Sequence, residues 1–220
     1  MTNLIIFDFD GTLYPFNPYD SEQALVLAHA QKKGPLFRLR AKAFVKADQR
    51  GAFNNPQFYK RYEKMIRDVD PTLVEETARR LARLLTKEDI AAIKALTAVA
   101  DLAILSLGTE NMAEFFLDEV GLRDDFFLIK AKRIHWKRNK ASLAVNIGSA
   151  EGKRTNLNEL RTRYSTIVAI GDGPTDIPML EAADLGLLLI WGAEASDHPF
   201  ELHPTLPSAC ARAKAFLTAQ

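Results

Sequence analysis

Asp8 and Asp10 stand two residues apart in the run Asp8-Phe9-Asp10-Gly11-Thr12, directly behind an apolar stretch. On an extended segment two such carboxylates share a side. There they repel, unless one is protonated or a cation lies beside them. Three further stretches carry polar residues of complementary kinds: Ser106-Leu107-Gly108-Thr109, Lys153, and Gly171-Asp172-Gly173-Pro174-Thr175-Asp176. Asp172 adds a third acid, and a hard divalent cation resolves such crowding. Magnesium, which takes few carboxylates together with water and a substrate phosphate, suits the set. Ser106, expected at a helix N-terminus, can donate to phosphate oxygens beside the free backbone amides that follow it, Leu107 first. Lys153 balances the acids and a phosphoryl group, and Gly11 and Gly173 permit tight turns and close backbone approach to an anion.

These residues matter only if the chain brings them together. Leu4 to Phe9, Asp101 to Leu105, Thr166 to Ile170 and Leu185 to Ile190 are short apolar runs without alternation, the pattern of strands buried on both faces. Helical patterns separate them, which predicts an α/β core with crossover helices. Among these are Lys87 to Val99, behind the capping residues Thr86 and Asp89, and Glu110 to Val120, ended by Gly121. In such a sheet ligands bind beyond the carboxyl ends of the strands. The first, second and third runs end in the three polar motifs, and Lys153 is placed just before the helix leading into the third.

Residues 15–86 break the rhythm. They carry no convincing strand and divide into helical stretches at about Ser21 to Gly34, Leu36 to Arg50, Pro56 to Arg67 and Pro71 to Leu85, with Asp70-Pro71 as a helix start. The expected organisation is an α/β catalytic core of residues 1–14 and 87–220, with 15–86 inserted as an all-helical cap over the end of the first strand. The cap is locally basic, through Lys32, Lys33, Arg38, Arg40, Lys42, Lys46 and Arg50. These can recognise an anionic substrate at the cap's mouth or form a solvated face. Tyr14, Phe16 and Tyr19 can line the pocket or pack the hinge. Phe126 to Ile134 and Ser142 to Ile147 read as an antiparallel hairpin on the sheet edge, joined by the basic stretch His135 to Lys140. The lysines and arginines around it, Lys130, Lys132 and Arg133 included, fit an edge strand that discourages further pairing.

Composition removes several function classes. The net charge of +1 gives no global attraction to nucleic acid or membrane, so any electrostatic partner must be met locally. The single cysteine, Cys210, precludes an internal disulfide and a multi-cysteine zinc site. His198 and His203 lie in a proline-bearing loop at a spacing that matches no helical ligand pair. Met1 leads straight into a strand with no leader-like segment, and no apolar run approaches the ~20 residues of a membrane span. A cytoplasmic protein is expected, with a small phosphorylated metabolite as partner and neither nucleic acid nor membrane. The sequence carries no signal for an oligomeric state.

In order and spacing the motifs D-x-D-G-T, a strand-terminal Ser, a Lys and G-D-G-x-x-D resemble the signature of the haloacid dehalogenase-like hydrolase superfamily. GDGPTDIPML and the early helical insertion most resemble its phosphoserine phosphatase-like branch. The resemblance implies a Rossmann-like core and a magnesium-dependent phosphatase acting through an aspartyl-phosphate. It casts Asp8 as nucleophile and Asp10 as general acid and base. Asp8, the carbonyl of Asp10 and Asp172 would hold the metal. Thr12, Ser106, Leu107 and Lys153 would meet the phosphoryl oxygens, and Asp176 would orient Lys153 or a metal-bound water. A phosphomutase, or a binding module on a retired scaffold, are the alternatives. Where phosphoserine phosphatases usually carry a Glu and S-G-G, this chain has Asn17 and Ser106-Leu107-Gly108, which makes phosphoserine one candidate substrate among several.

Overall fold

The computed structural model describes residues 2–16, 18–192 and 199–219. Seven strands form one sheet in the order β4-β3-β2-β1-β5-β6-β7. They are β1 (Asn3–Phe7), β2 (Asp101–Thr109), β3 (Phe126–Lys137), β4 (Lys140–Val145), β5 (Thr166–Gly171), β6 (Leu185–Leu189) and β7 (Glu201–His203). All neighbours run parallel except β3 and β4. The chain winds outward from β1 through β2 and β3 to β4, then crosses back to place β5 on the other side of β1. The order therefore reverses at β1, where open α/β sheets bind ligands.

The period of two sorts the central strands onto two apolar layers. Ile5, Phe7, Leu102, Ile104, Val168 and Ile170 face one layer. Leu4, Ile6, Ala103, Leu105, Ile167 and Ala169 face the other. Between β1 and β2 lie α1 (Ser21–Gln31), α2 (Pro35–Asp48), α3 (Asn55–Ile66), α4 (Pro71–Ala82) and α5 (Lys87–Lys94). Their starts follow local capping chemistry: the carboxylates of Asp20 and Asp70 accept from Gln23 N and Thr72 N, and Thr86 and Asp89 close a reciprocal box. Leu25, Val26, Phe44, Tyr62 and Val74 join the first layer, so the apolar core runs unbroken from β1 into these helices. The remaining helices are α6 (Glu110–Val120), α7 (Ala150–Leu160), α8 (Ile177–Ala182) and α9 (Leu206–Thr218). Gly121 ends α6 at φ +70°, the left-handed conformation that costs glycine least.

Several expectations need correction. The hairpin link is only Arg138 and Asn139, both at positive φ, as a tight two-residue turn requires; His135, Trp136 and Lys137 pair with Ser142, Ala141 and Lys140. The edge strand is β4, so β3 is an interior strand. β1 ends at Phe7, and β2 runs on to Thr109. α5 stops at Lys94 instead of Val99. The stretch around His203 contains the short strand β7, and His203 Nδ1 meets Ser208 Oγ at 2.9 Å. Asn17 and His198 lie outside the described residues. No helix among the described residues is long and apolar enough to cross a membrane.

Candidate active site

The carboxyl ends of β1, β2, β3 and β5 open onto one cavity of about 360 Å³. Its lining includes Asp8, Asp10, Ser106, Leu107, Gly108, Lys132, Lys153, Asp172 and Gly173, together with Asp20, Glu22, Asp48, Phe53, Phe58 and Tyr59 from the segment between β1 and β2. Asp8 continues β1 by one residue, its N–H donating to Ile170 O at 3.0 Å. Its Oδ1 accepts from Lys153 Nζ at 2.7 Å, and the same ammonium donates to Asp176 Oδ1 at 2.5 Å. Lys153 and Asp176 are fully buried. Lys153 lies within the first turn of α7, not ahead of it; Ser149 caps that helix. Asp176 Oδ2 accepts from the N–H groups of Asp172 and Gly173 at 3.0 and 3.1 Å, which fixes the loop after β5.

The carboxylates that crowd one another are Asp8, Asp172 and Asp176, whose oxygens lie within 4.8 Å, rather than the Asp8–Asp10 pair. Burial pushes Asp8 up to about 7 against the pull of Lys153, with Asp176 adding to the rise. Burial, then Asp8 and Asp176, push Asp172 up to about 8. For Lys153, burial favours the neutral amine, but Asp8 and Asp176 outweigh it and hold the ammonium charged well above its ordinary range. One lysine against three close carboxylates leaves a deficit of positive charge that a hard divalent cation with oxygen ligands fits.

Asp10 lines the same cavity, but its carboxylate is bonded to Ser21 and Tyr14 instead of joining the three-acid cluster. Its Oδ1 accepts from Ser21 N–H at 2.7 Å and from the Tyr14 hydroxyl, and its Oδ2 accepts from Ser21 Oγ at 2.9 Å. Its carboxylate is outside the three-acid cluster, so only its carbonyl is free for the metal role expected of it. Thr12, expected at the phosphoryl oxygens, is fully buried and donates its hydroxyl to Asp172 Oδ1 at 2.8 Å. Ser106 sits in the extension of β2, three residues before the Thr109 that precedes α6, and its Oγ accepts from Gly108 N–H at 3.0 Å. It is therefore a strand-end residue, not a helix N-cap. Leu107 shares the cavity wall and packs on the second core layer.

Two glycines are dictated by close approach. A Cβ on Gly11, at φ +82°, would stand 2.2 Å from Asp172 Oδ2, and one on Gly108 would stand 2.3 Å from Asp10 Oδ2. Gly173 differs from expectation: its φ is ordinary and a Cβ would meet open space. It keeps room in the cavity rather than making a turn possible.

Lys132 is the main residue that motif reasoning misses. Read as an edge-strand lysine, it is 2 % exposed. Its Nζ lies 3.0 Å from Glu22 Oε2, donates to Leu107 O, and sits 5.2 and 4.9 Å from the ring centroids of Phe58 and Tyr59. Glu22 Oε1 also accepts from Thr109 Oγ1 at 2.7 Å. Burial raises the Glu22 carboxyl, and Lys132 pulls it back. The signal available was topological: β3 is parallel to β2, so its carboxyl end emerges at the same edge as the motifs. Trp191 braces the loop after β1, its indole N–H donating to Gly11 O at 2.5 Å. None of the seven basic residues Lys32, Lys33, Arg38, Arg40, Lys42, Lys46 and Arg50 lines the cavity, so they do not guard its mouth. Phe16 does line it, whereas Tyr14 is buried against Phe9 and Phe116.

A family model described as haloacid dehalogenase-like hydrolase matches residues 2–184. The chain belongs to that family. Solved structures agree with this hydrolase in fold. A substrate-bound phosphoserine phosphatase is 20 % identical, with 98 % of each chain covered and a TM-score of 0.70. A probable phosphoserine phosphatase from Vibrio cholerae is 17 % identical, covering 100 % of this chain and 67 % of that one at TM-score 0.73. A phosphoserine phosphohydrolase-like protein from Francisella tularensis is 18 % identical, covering 96 % and 99 % at TM-score 0.69. A comparison with curated proteins finds no match.

Proposed function

We propose that this hydrolase is a magnesium-dependent phosphatase of a small phosphomonoester, working through an aspartyl-phosphate on Asp8. The observation that carries the reading is the Asp8 carboxylate at the cavity floor, bonded to Lys153 and crowded by Asp172 and Asp176. Residues 15–86 act as a cap on a core of 1–14 and 87–220, supplying Asp20, Glu22, Phe58 and Tyr59 to the cavity.

Asp8 attacks phosphorus as the ester P–O bond breaks, while Asp10 gives a proton to the departing alkoxide. Asp10 then takes a proton from the water that attacks the phosphoryl group, which leaves as inorganic phosphate and frees Asp8. Ser21 and Tyr14 hold Asp10 in place for both transfers. Lys153 keeps Asp8 oriented and offsets phosphoryl charge, and Ser106 with the Leu107 amide faces the transferred oxygens. Thr12 serves by holding Asp172. Asp8, Asp172 and the Asp10 carbonyl would hold magnesium, which when bound neutralises charge on the phosphoryl oxygens. Cys210 takes no part: burial raises its thiol to about 12. We place the enzyme in the cytoplasm.

The test is hydrolysis of p-nitrophenyl phosphate by the wild type, by Asp8→Asn and by enzyme stripped with EDTA. Both losses should be near complete, and magnesium should restore the stripped enzyme alone. Robust turnover by Asp8→Asn, or a beryllofluoride adduct on another residue, would overturn the assignment.

A further inference from the structure

The chain's net charge of +1 hides a strong separation of charge. Between Lys32 and Arg67 stand eleven lysines and arginines against two acids, Asp48 and Glu63. Among the described residues only Lys32 and Lys33 of these eleven have carboxylate partners, Glu76 and Asp68. Of the two acids, Asp48 is turned inward, accepting from Gln23 Nε2 at 2.8 Å. The other nine cations therefore have no carboxylate partner among the described residues, and none of the eleven lines the active-site cavity.

Their arrangement on α2 is directional. Phe37, Ala41, Phe44 and Val45 pack inward on the core. Leu36 and Leu39 are 62 % and 67 % exposed, the highest values among the exposed large hydrophobics. With exposed Ala43 they sit at i, i+3 and i+7, one ridge on the helix face away from the core. Arg40 flanks this ridge on one side, and Lys42 and Lys46 flank it on the other. Beside it, α2 and α3 enclose a groove of about 650 Å³ with Phe44, Phe53 and Met65 among its walls and Arg40, Lys60, Arg61 and Lys64 at its polar positions; it has no acidic lining residue.

We propose that the α2–α3 face of the cap docks peripherally on an anionic lipid surface. Leu36 and Leu39 would enter the interface, and the cations beside them and in the groove would meet headgroup phosphates. An exposed apolar ridge bordered by long cationic side chains is the composition of an interfacial helix, because the stems can lie along the apolar zone while the charges reach the headgroups. Charge complementarity alone would also suit nucleic acid. Two exposed leucines gain nothing from a phosphodiester backbone, whereas a bilayer interface removes them from water. No spanning segment is needed, so the proposal is compatible with a cytoplasmic enzyme meeting the acidic inner leaflet.

The test is co-sedimentation of the full chain with vesicles of phosphatidylcholine alone or mixed with phosphatidylserine, at low and high salt, alongside binding to duplex DNA. Binding is expected on the mixed vesicles only, weakening as salt rises. Lys42→Gln with Lys46→Gln should weaken it on the order of 20-fold, at about fivefold per cation. Leu36→Gln with Leu39→Gln should weaken it about tenfold or more. All four positions are exposed, so each variant should keep the wild-type thermal midpoint. Absence of vesicle binding, equal binding to neutral vesicles, tighter binding to DNA, or full retention by the leucine variant would each overturn the proposal.

Discussion

Lys132→Met isolates the buried pair that ties β3 to α1. Methionine keeps most of the stem under Phe58 and Tyr59 but removes the ammonium, leaving Glu22, itself 5 % exposed, with Thr109 as its remaining side-chain donor among the described residues. Removing one member of such a pair costs about 3–5 kcal/mol, because the other charge stays buried. For a chain of this length that corresponds to a fall of roughly 6–20 °C in the thermal midpoint. Glu22 can limit the loss by taking a proton, since burial already raises it and Lys132 is the main influence lowering it. Its folded value then rises further above the unfolded one, so the variant's deficit should be small near pH 5 and grow toward pH 8. Glu22→Gln in the same background retains an acceptor for Thr109 and removes the stranded charge. A double-mutant cycle followed by urea denaturation should show about 1–3 kcal/mol of favourable coupling. Additive effects, or a single-mutant cost below about 1 kcal/mol, would refute the view that Lys132 and Glu22 stabilise each other within the cavity wall.

Gly108→Ala places a methyl group 2.3 Å from Asp10 Oδ2, so turnover of p-nitrophenyl phosphate should fall by more than about tenfold through misplacement of the acid, while circular dichroism stays unchanged. Tyr14→Phe removes a donor to Asp10 and should lower kcat by roughly tenfold with little change in KM, read in steady-state kinetics across pH. In EDTA, stability should decline as pH rises from about 4 to 8. Burial and neighbouring acids raise the folded carboxyls of Asp8 and Asp172 to about 7 and about 8 from an ordinary 3.8, so the native state holds more protons than the unfolded chain across that window. Saturating magnesium should flatten the decline, and a profile indifferent to metal would remove the cation from this cluster.

What the sequence made legible follows from where the physics is local. The buried strands announced themselves because β1, β2, β5 and β6 have apolar neighbours on both faces, so no alternation was needed to read them. Helix starts at Asp70 and Thr86 were readable from capping residues whose partners are two or three positions away. Asp8, Ser106 and Asp172 were readable as a group because they lie toward the carboxyl ends of β1, β2 and β5, which run parallel in one sheet. Thr12 was misassigned because its choice between a phosphate and Asp172 depends on a residue 160 positions away. Lys132 was invisible for a related reason: whether a lysine on β3 meets solvent or Glu22 depends on β4 covering the edge and α1 covering the carboxyl end, neither of which leaves a trace in the residues around it. The same reasoning explains the cap cations. Their number was plain in the sequence, but α2 buries so little of its surface that only the fold shows them turned from the cavity and gathered around Leu36 and Leu39. A charge cluster placed at the mouth of an active site selects substrates; the same cluster on the outer ridge of a cap selects the surface on which the enzyme works.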